Sequence, residues 1–162
     1  MVTLRKMSEE EYSDYSEIFI NDYGKDISES YSLPINLAIE KARKDLSRSL
    51  PEGLETTNHD LLCIEVTIDS KPTVVGYLWH SINTDDGSTY LYDFYVLDLH
   101  RGKGIGTQAI LELECHLKAL DIARINLRVA YNNKRALKLY EEIGFMTTGY
   151  DMSKNIMTSQ QQ

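Results

Sequence analysis

The stretch that most constrains this chain is a glycine-rich turn set between a strand pattern and a helix pattern. Residues 89–97 are crowded with Tyr, Leu, Phe and Val and read as a strand. Residues 104–120 place Ile110, Leu113, Leu117 and Leu120 at helical spacing, which predicts an amphipathic helix with those four as its buried stripe. Between them runs Arg101-Gly102-Lys103-Gly104-Ile105-Gly106-Thr107. Alternating glycines let a backbone approach a ligand closely. The amides that open a helix lack intrahelical acceptors and carry the positive end of its dipole. Such a turn is an anion cradle, and a diphosphate fits it. Arg101 and Lys103 add charge beside it. A turn that merely needs unusual dihedrals would account for two glycines, but less readily for three with two cations.

Two other phosphate-binding signatures fit less well. Residues 104–109 also satisfy G-x-G-x-x-A, the dinucleotide fingerprint. That fingerprint expects an acidic residue after the next strand, where this chain has Tyr131-Asn132-Asn133. No G-x-x-x-x-G-K-[ST] run exists, which excludes a P-loop.

The remaining periodicity predicts a strand over 2–6, then a helix over about 9–22 with Ser8 and Glu11 forming a capping box and Gly24 ending it. A second helix spans about 34–50, opened by Pro34. Strands follow over 61–68 and 73–82 as a hairpin, then 89–97. After the helix over 104–120 come a strand over 123–130, a helix over 133–143 closed by Gly144, and a closing strand or hairpin within 145–156. The 159–162 tail is expected to fray. The segment 89–130 is a strand–helix–strand unit, hence a right-handed parallel crossover. The expected architecture is an α/β (α+β) single domain over 1–162. Its sheet is mixed and mostly antiparallel, with a central parallel strand pair and helices on both faces.

The net charge of −8 argues against nucleic acid as the main partner, because phosphate binding needs a basic face. It suits a cationic substrate, though solubility alone also explains it. The apolar runs are too short for a membrane span, and residues 1–11 lack the apolar core of a secretory signal. Cys63 and Cys115 are expected as reduced core thiols, and the scattered His59, His80, His100 and His116 predict no metal site. A cytoplasmic location follows from these readings.

The loop resembles the [QR]-x-x-G-x-[GA] motif of the GNAT N-acetyltransferases. Residues 127–145 look like that family's L-x-V-x-x-x-N-x-x-A-x-x-L-Y-E-x-x-G-F, and the likeness extends over about 61–156. The resemblance implies a metal-free acetyltransferase with acetyl-CoA as co-substrate, acting by direct transfer in a ternary complex. Its acceptor would be a primary amine on a small molecule or a peptide. A homodimer is common in the family. The resemblance puts the coenzyme A pyrophosphate on the main chain of Gly102, Gly104, Ile105, Gly106 and Thr107, with Arg101 and Lys103 beside them. Pantetheine would lie along Phe94, Tyr95 and Val96, where two parallel strands splay, and Asn133 would cap the next helix and touch the cofactor. A non-catalytic acyl-CoA-binding module on the same fold is the alternative.

The chemistry then needs a base for the ammonium, a donor for the oxyanion and an acid for the departing thiolate. Tyr140 is the candidate acid: a phenol of pKa ~10 can protonate a thiolate whose thiol has a pKa of about 8.5. Ring packing is its other reading. Some relatives keep a Glu where this chain has Arg128. Asp93, an acid inside an aromatic strand, is the substitute base; an ordinary strand-edge acid bonded to backbone or Arg is equally compatible. Neither cysteine lies in a motif, which disfavours an acetyl-cysteine intermediate. Tyr23, Tyr31, Trp79, His80 and Tyr92 could line an acceptor pocket or pack in the core; as neighbours in a strand, Trp79 and His80 point to opposite faces.

Overall fold

The computed structural model describes residues 1–157. Its first strand, β1 (Val2–Lys6), pairs antiparallel with β2 (His59–Ile68), Val2 opposite Val66. The chain then enters α1 (Glu9–Tyr31) through the expected capping box. The Ser8 hydroxyl accepts from the Glu11 amide at 3.2 Å, and the Ser8 amide donates to Glu11 Oε1 at 2.9 Å. Arg5 bonds both Glu11 and Glu65 through its guanidinium, joining β1, α1 and β2. That pairing holds the Glu11 carboxyl down at about 2.

Helix α1 does not stop at Gly24, contrary to the sequence expectation. It runs to Tyr31 and ends at Ser32, which takes a left-handed conformation (φ 55°) and donates its amide to Ser28 O. Gly24 is buried mid-helix against α2 (Ile35–Ser49). A Cβ there would sit 2.8 Å from Ile39 Cγ1 and 3.1 Å from Ile39 Cα. Its glycine serves close helix approach rather than termination.

The sheet has the order β1-β2-β3-β4-β5, with β3 (Lys71–Asn83), β4 (Ser88–Val96) and β5 (Arg124–Leu127). Its first three pairings are antiparallel, and β4 with β5 is parallel. The β2–β3 turn places Asp69 and Ser70 at φ 50° and 63°, the sign pattern a tight two-residue hairpin requires. Side chains alternate across the sheet. Leu62, Ile64, Val75, Leu78 and Leu91 face α3 (Ile105–Ala119), whose Ala109, Ile110, Leu113 and Leu117 close that core. Leu61, Cys63 and Trp79 face the other way, against Tyr15, Ile20, Ile27, Ala38, Ala42 and Leu46 of α1 and α2. Helices therefore cover both faces of a mixed, mostly antiparallel sheet.

Several boundaries correct the sequence reading. Leu120 is 60% exposed: α3 ends at Ala119, and Asp121 turns the chain at φ 60°. β5 covers Arg124–Leu127 rather than 123–130. Residues 145–157 form no strand. Phe145 packs against the core, while Met146, Tyr150, Met152 and Ile156 after it are largely exposed. Cys63 is buried, which pushes its thiol up to about 12. Cys115 lies on the outer side of α3 and is exposed, not a core thiol. The frayed tail expected at 159–162 lies outside the described residues.

Candidate active site

The sheet opens at its β5 edge, where the parallel pair lies, rather than at the centre. Parallel pairing runs from Ser88↔Arg124 to Leu91↔Leu127 and stops, while β4 continues to Val96 bonded to β3 alone. A bulge helps to cause this. Trp79 of β3 pairs with Asp93 and the next residue, His80, pairs with Leu91, so Tyr92 is an extra residue in β4. A bulge sharpens strand twist and breaks alternation. Consecutive residues therefore face the same way: Tyr92 stacks on Trp79, and Asp93 bonds to Tyr15 of α1.

A cleft of about 1240 Å³ occupies the opening, larger than the usual small-molecule site of about 300–1,000 Å³. It is walled in part by Phe94, Tyr95 and Val96 and by Gly102, Gly104, Ile105, Gly106 and Thr107. Gly102 and Gly104 stand at φ 73° and 78°, and a Cβ on either would touch nothing within 4 Å. Gly104 is the N-cap of α3 without a side-chain cap bond, so the first amides of that helix open onto the cleft wall. Gly106 has a different role: a Cβ there would lie 3.3 Å from Leu139 Cδ2 and 3.6 Å from Phe94 Cζ. It lets α3 pack against α4 (Lys134–Ile143). The two cations are placed differently. Arg101 donates through Nε to Val96 O at 2.7 Å, pairs with Asp98 at 2.5 Å and lies 5.1 Å from the Tyr95 ring centre, so its guanidinium braces the loop. Lys103 is exposed and does not line the cleft.

α4 supplies the opposite wall. Asn133 caps it, accepting the Ala136 amide at 3.2 Å, and lines the cleft. Two turns on, Tyr140 is half-buried between Phe94 and Phe145, with ring centres 6.4 and 5.4 Å away. Its hydroxyl bonds to no described residue. Burial raises its pKa, and the nearby Asp93 charge raises it further. The phenol thus stays protonated through the neutral range.

Asp93 lines the same cleft. Its Oδ2 accepts from the Tyr15 hydroxyl at 2.7 Å. Burial raises its carboxyl to about 6; the Tyr15 bond opposes that rise, and Asp22 and Asp26 add to it. The partner is neither an Arg nor only backbone, as an edge acid would have had.

Helix α1 lines the cleft as well, and its Asp22 feels the charges of Arg101 and Asp98. Asp22, Asp26 and Glu29 follow one another along its face and line the cleft, together with Phe19 and Tyr23. Desolvation raises the pKa of both aspartates. Of the aromatic set expected here, Tyr23, Trp79 and Tyr92 line the cleft. Tyr31 does not, and His80 is turned away, 2.9 Å from Thr89 Oγ1 and 3.6 Å from Asp60. The sequence reading missed Tyr15 and the acidic row. The row was readable as 22, 26 and 29 at helical spacing, but only for a helix carried past Gly24. Arg128 also lines the cleft, paired with Asp151 at 3.2 Å.

The acetyltransferase (GNAT) family profile matches residues 14–145, reaching through α1 and α2 as well as both motifs. The uncharacterised N-acetyltransferase YycN of Bacillus subtilis is 28% identical over 96% of this chain and 99% of its own. YdgE of the same organism is 26% identical over 95% and 98%. The crystal structure of YycN superposes with a TM-score of 0.88, covering 97% of this chain and 99% of that one. The PaiA N-acetyltransferase of Thermoplasma acidophilum, solved with coenzyme A, shares the fold at 22% identity and a TM-score of 0.67, over 93% of each chain. No described helix is long and apolar enough to cross a membrane. The glycine loop, the open sheet and the match across both motifs lead to one assignment: this chain belongs to the acetyltransferase (GNAT) family.

Proposed function

We propose that this protein transfers an acetyl group from acetyl-CoA to a primary amine, directly, with both substrates in the cleft. The observation that carries this is the opening beyond Leu91 and Leu127, a single cleft lined both by the glycine loop at the start of α3 and by a row of carboxylates from α1. The open space over Gly102 and Gly104 suits a pyrophosphate against main-chain amides. The unpaired side of Phe94, Tyr95 and Val96 suits an amide-bearing chain laid along it like a strand. Coenzyme A in the related PaiA structure supports the choice of cofactor. Asp22, Asp26 and Glu29 beside Tyr23 and Tyr92 support a cationic acceptor.

In this reading Asp93 accepts a proton from the acceptor ammonium. The freed nitrogen attacks the thioester carbonyl, the carbon–sulfur bond breaks, and Tyr140 protonates the departing thiolate. A backbone amide near Phe94–Val96 would donate to the oxyanion. The test is thiol release from acetyl-CoA across a panel of mono-, di- and polyamines and peptide N-termini. Amine-dependent release supports the reading. Coenzyme A binding with no release for any amine would instead indicate an acyl-CoA-binding module.

A further inference from the structure

We infer that Tyr15 is a positioning residue for the transfer reaction: its hydroxyl holds the Asp93 carboxylate in register with the cleft and keeps it ionised. This inference rests on Asp93 as the proton acceptor.

Tyr15 is fully buried, at 0% exposure, and lies on α1, outside both sequence motifs. Its ring is wedged by Tyr77 at 5.2 Å and Phe19 at 6.2 Å. The packed ring fixes where the hydroxyl oxygen sits, and the hydroxyl donates to Asp93 Oδ2 at 2.7 Å. The acceptor side is equally constrained. The extra residue Tyr92 rotates Asp93 onto the α1 face of the sheet. Without the bulge, strict alternation would send one of the two to the α3 face.

A carboxylate can accept about four hydrogen bonds. The Tyr15 hydroxyl and the Phe94 amide use part of that capacity. Acceptor capacity remains on a group that lines the cleft. The charged and titratable groups facing Asp93 are Tyr15, Asp22 and Asp26 from α1, Tyr140 from α4 and Tyr95 from its own strand. None is a cation. The Tyr15 bond is therefore the main side-chain contact favouring the ionised form, against burial and two like charges.

The test compares Tyr15→Phe, Asp93→Asn and the double variant with the wild type, as kcat and KM from pH 5.5 to 9. Taking each variant as a ratio to wild type removes the common titration of the acceptor amine. Tyr15→Phe keeps the ring and removes the donor. A carboxyl moved up by about one pH unit from 6 loses about fivefold of its ionised fraction at pH 6 and almost none at pH 9. The expected kcat ratio for Tyr15→Phe falls about fivefold at pH 6 and recovers towards pH 9, with KM for acetyl-CoA unchanged. The double variant should be no slower than Asp93→Asn. Titration of the Asp93 carboxyl carbon by NMR, in wild type and Tyr15→Phe, reads the same shift without turnover. A flat ratio and an unmoved carboxyl would leave Tyr15 as packing only. Full activity and an unchanged profile in Asp93→Asn would remove Asp93 itself, a result distinguishable from failure of Tyr15 alone.

Discussion

Leu91 of β4 and Leu127 of β5 are the last residues the two parallel strands pair. Beyond them β4 runs on to Val96, while the chain after β5 turns towards Asn133 and α4. The strands are fastened behind this point by buried Thr89 and Leu91 and part in front of it. The opening therefore rests on the core beneath it, not on a flexible loop. Asp93, Phe94, Val96, Gly104, Asn133 and Tyr140 all line the cleft at that fork, and Lys103 does not.

Tyr140 offers the most direct check of the chemistry. Burial keeps its hydroxyl protonated, as an acid needs, and its ring is held by Phe94 and Phe145. Phenylalanine preserves those ring contacts. Tyr140→Phe should lower kcat by about 10²–10⁴-fold, the usual worth of a positioned acid. Acetyl-CoA affinity by titration calorimetry should stay within about twofold of wild type. An unchanged kcat would remove Tyr140 from the mechanism.

The loop glycines should separate by cause. Gly104 is strained for any side chain, at φ 78°. Gly104→Ala should cost about 1–2 kcal/mol in stability, the penalty of a left-handed residue, and raise KM for acetyl-CoA. Gly149 has nothing within 4 Å of a Cβ and no positive φ. Gly149→Ala should leave both quantities unchanged and serves as the control. Equal acetyl-CoA kinetics in the two variants would argue against a cofactor contact at Gly104.

Much of this architecture is legible in the sequence because its signals are local. The capping box at Ser8 and Glu11, the Gly104-opened helix and the Asn133 cap each involve residues a few positions apart. The misreadings have a common physical source. Gly24 resembles a helix stop, yet its role is set by Ile39 on another helix. Tyr15 resembles one aromatic among eleven tyrosines, yet its partner is 78 positions away. The bulge at Tyr92 depends on register with β3 and leaves no mark in β4 alone. The bonds from Arg101 to Val96 O and Asp98 likewise depend on how the turn folds back, which the spacing of the loop does not show.

Gly24 gives a test of the packing between α1 and α2, both of which line the cleft. Alanine is the better helix former by about 1 kcal/mol. Its Cβ would meet Ile39 Cγ1 at 2.8 Å and, less yieldingly, Ile39 Cα at 3.1 Å. Overpacking of this kind costs about 1–3 kcal/mol. Gly24→Ala should therefore be destabilised on balance, read as a lower urea midpoint with an unchanged slope. A stabilised variant would mean that α1 and α2 separate without cost.

Asp93 makes a prediction that needs no substrate. Its carboxyl titrates near 6 in the folded chain, against about 4 in an unfolded one. Between those values the native state binds the extra proton, so stability falls as pH rises from about 4 to about 6. Above 6 the cost is complete, because the native chain then holds a desolvated carboxylate. Two pH units at 1.36 kcal/mol each set a ceiling, and partial exposure to the cleft argues for less, about 2 kcal/mol. Asparagine cannot titrate and can still accept the Tyr15 hydroxyl through its side-chain oxygen. The stability of Asp93→Asn relative to wild type should therefore rise by about 2 kcal/mol from pH 4 to pH 8, measured by urea unfolding at each pH. Most of that rise should be complete by pH 7. A difference that stays constant with pH would place the Asp93 titration at an ordinary carboxylate value. The burial that readies this group as a base would then be absent.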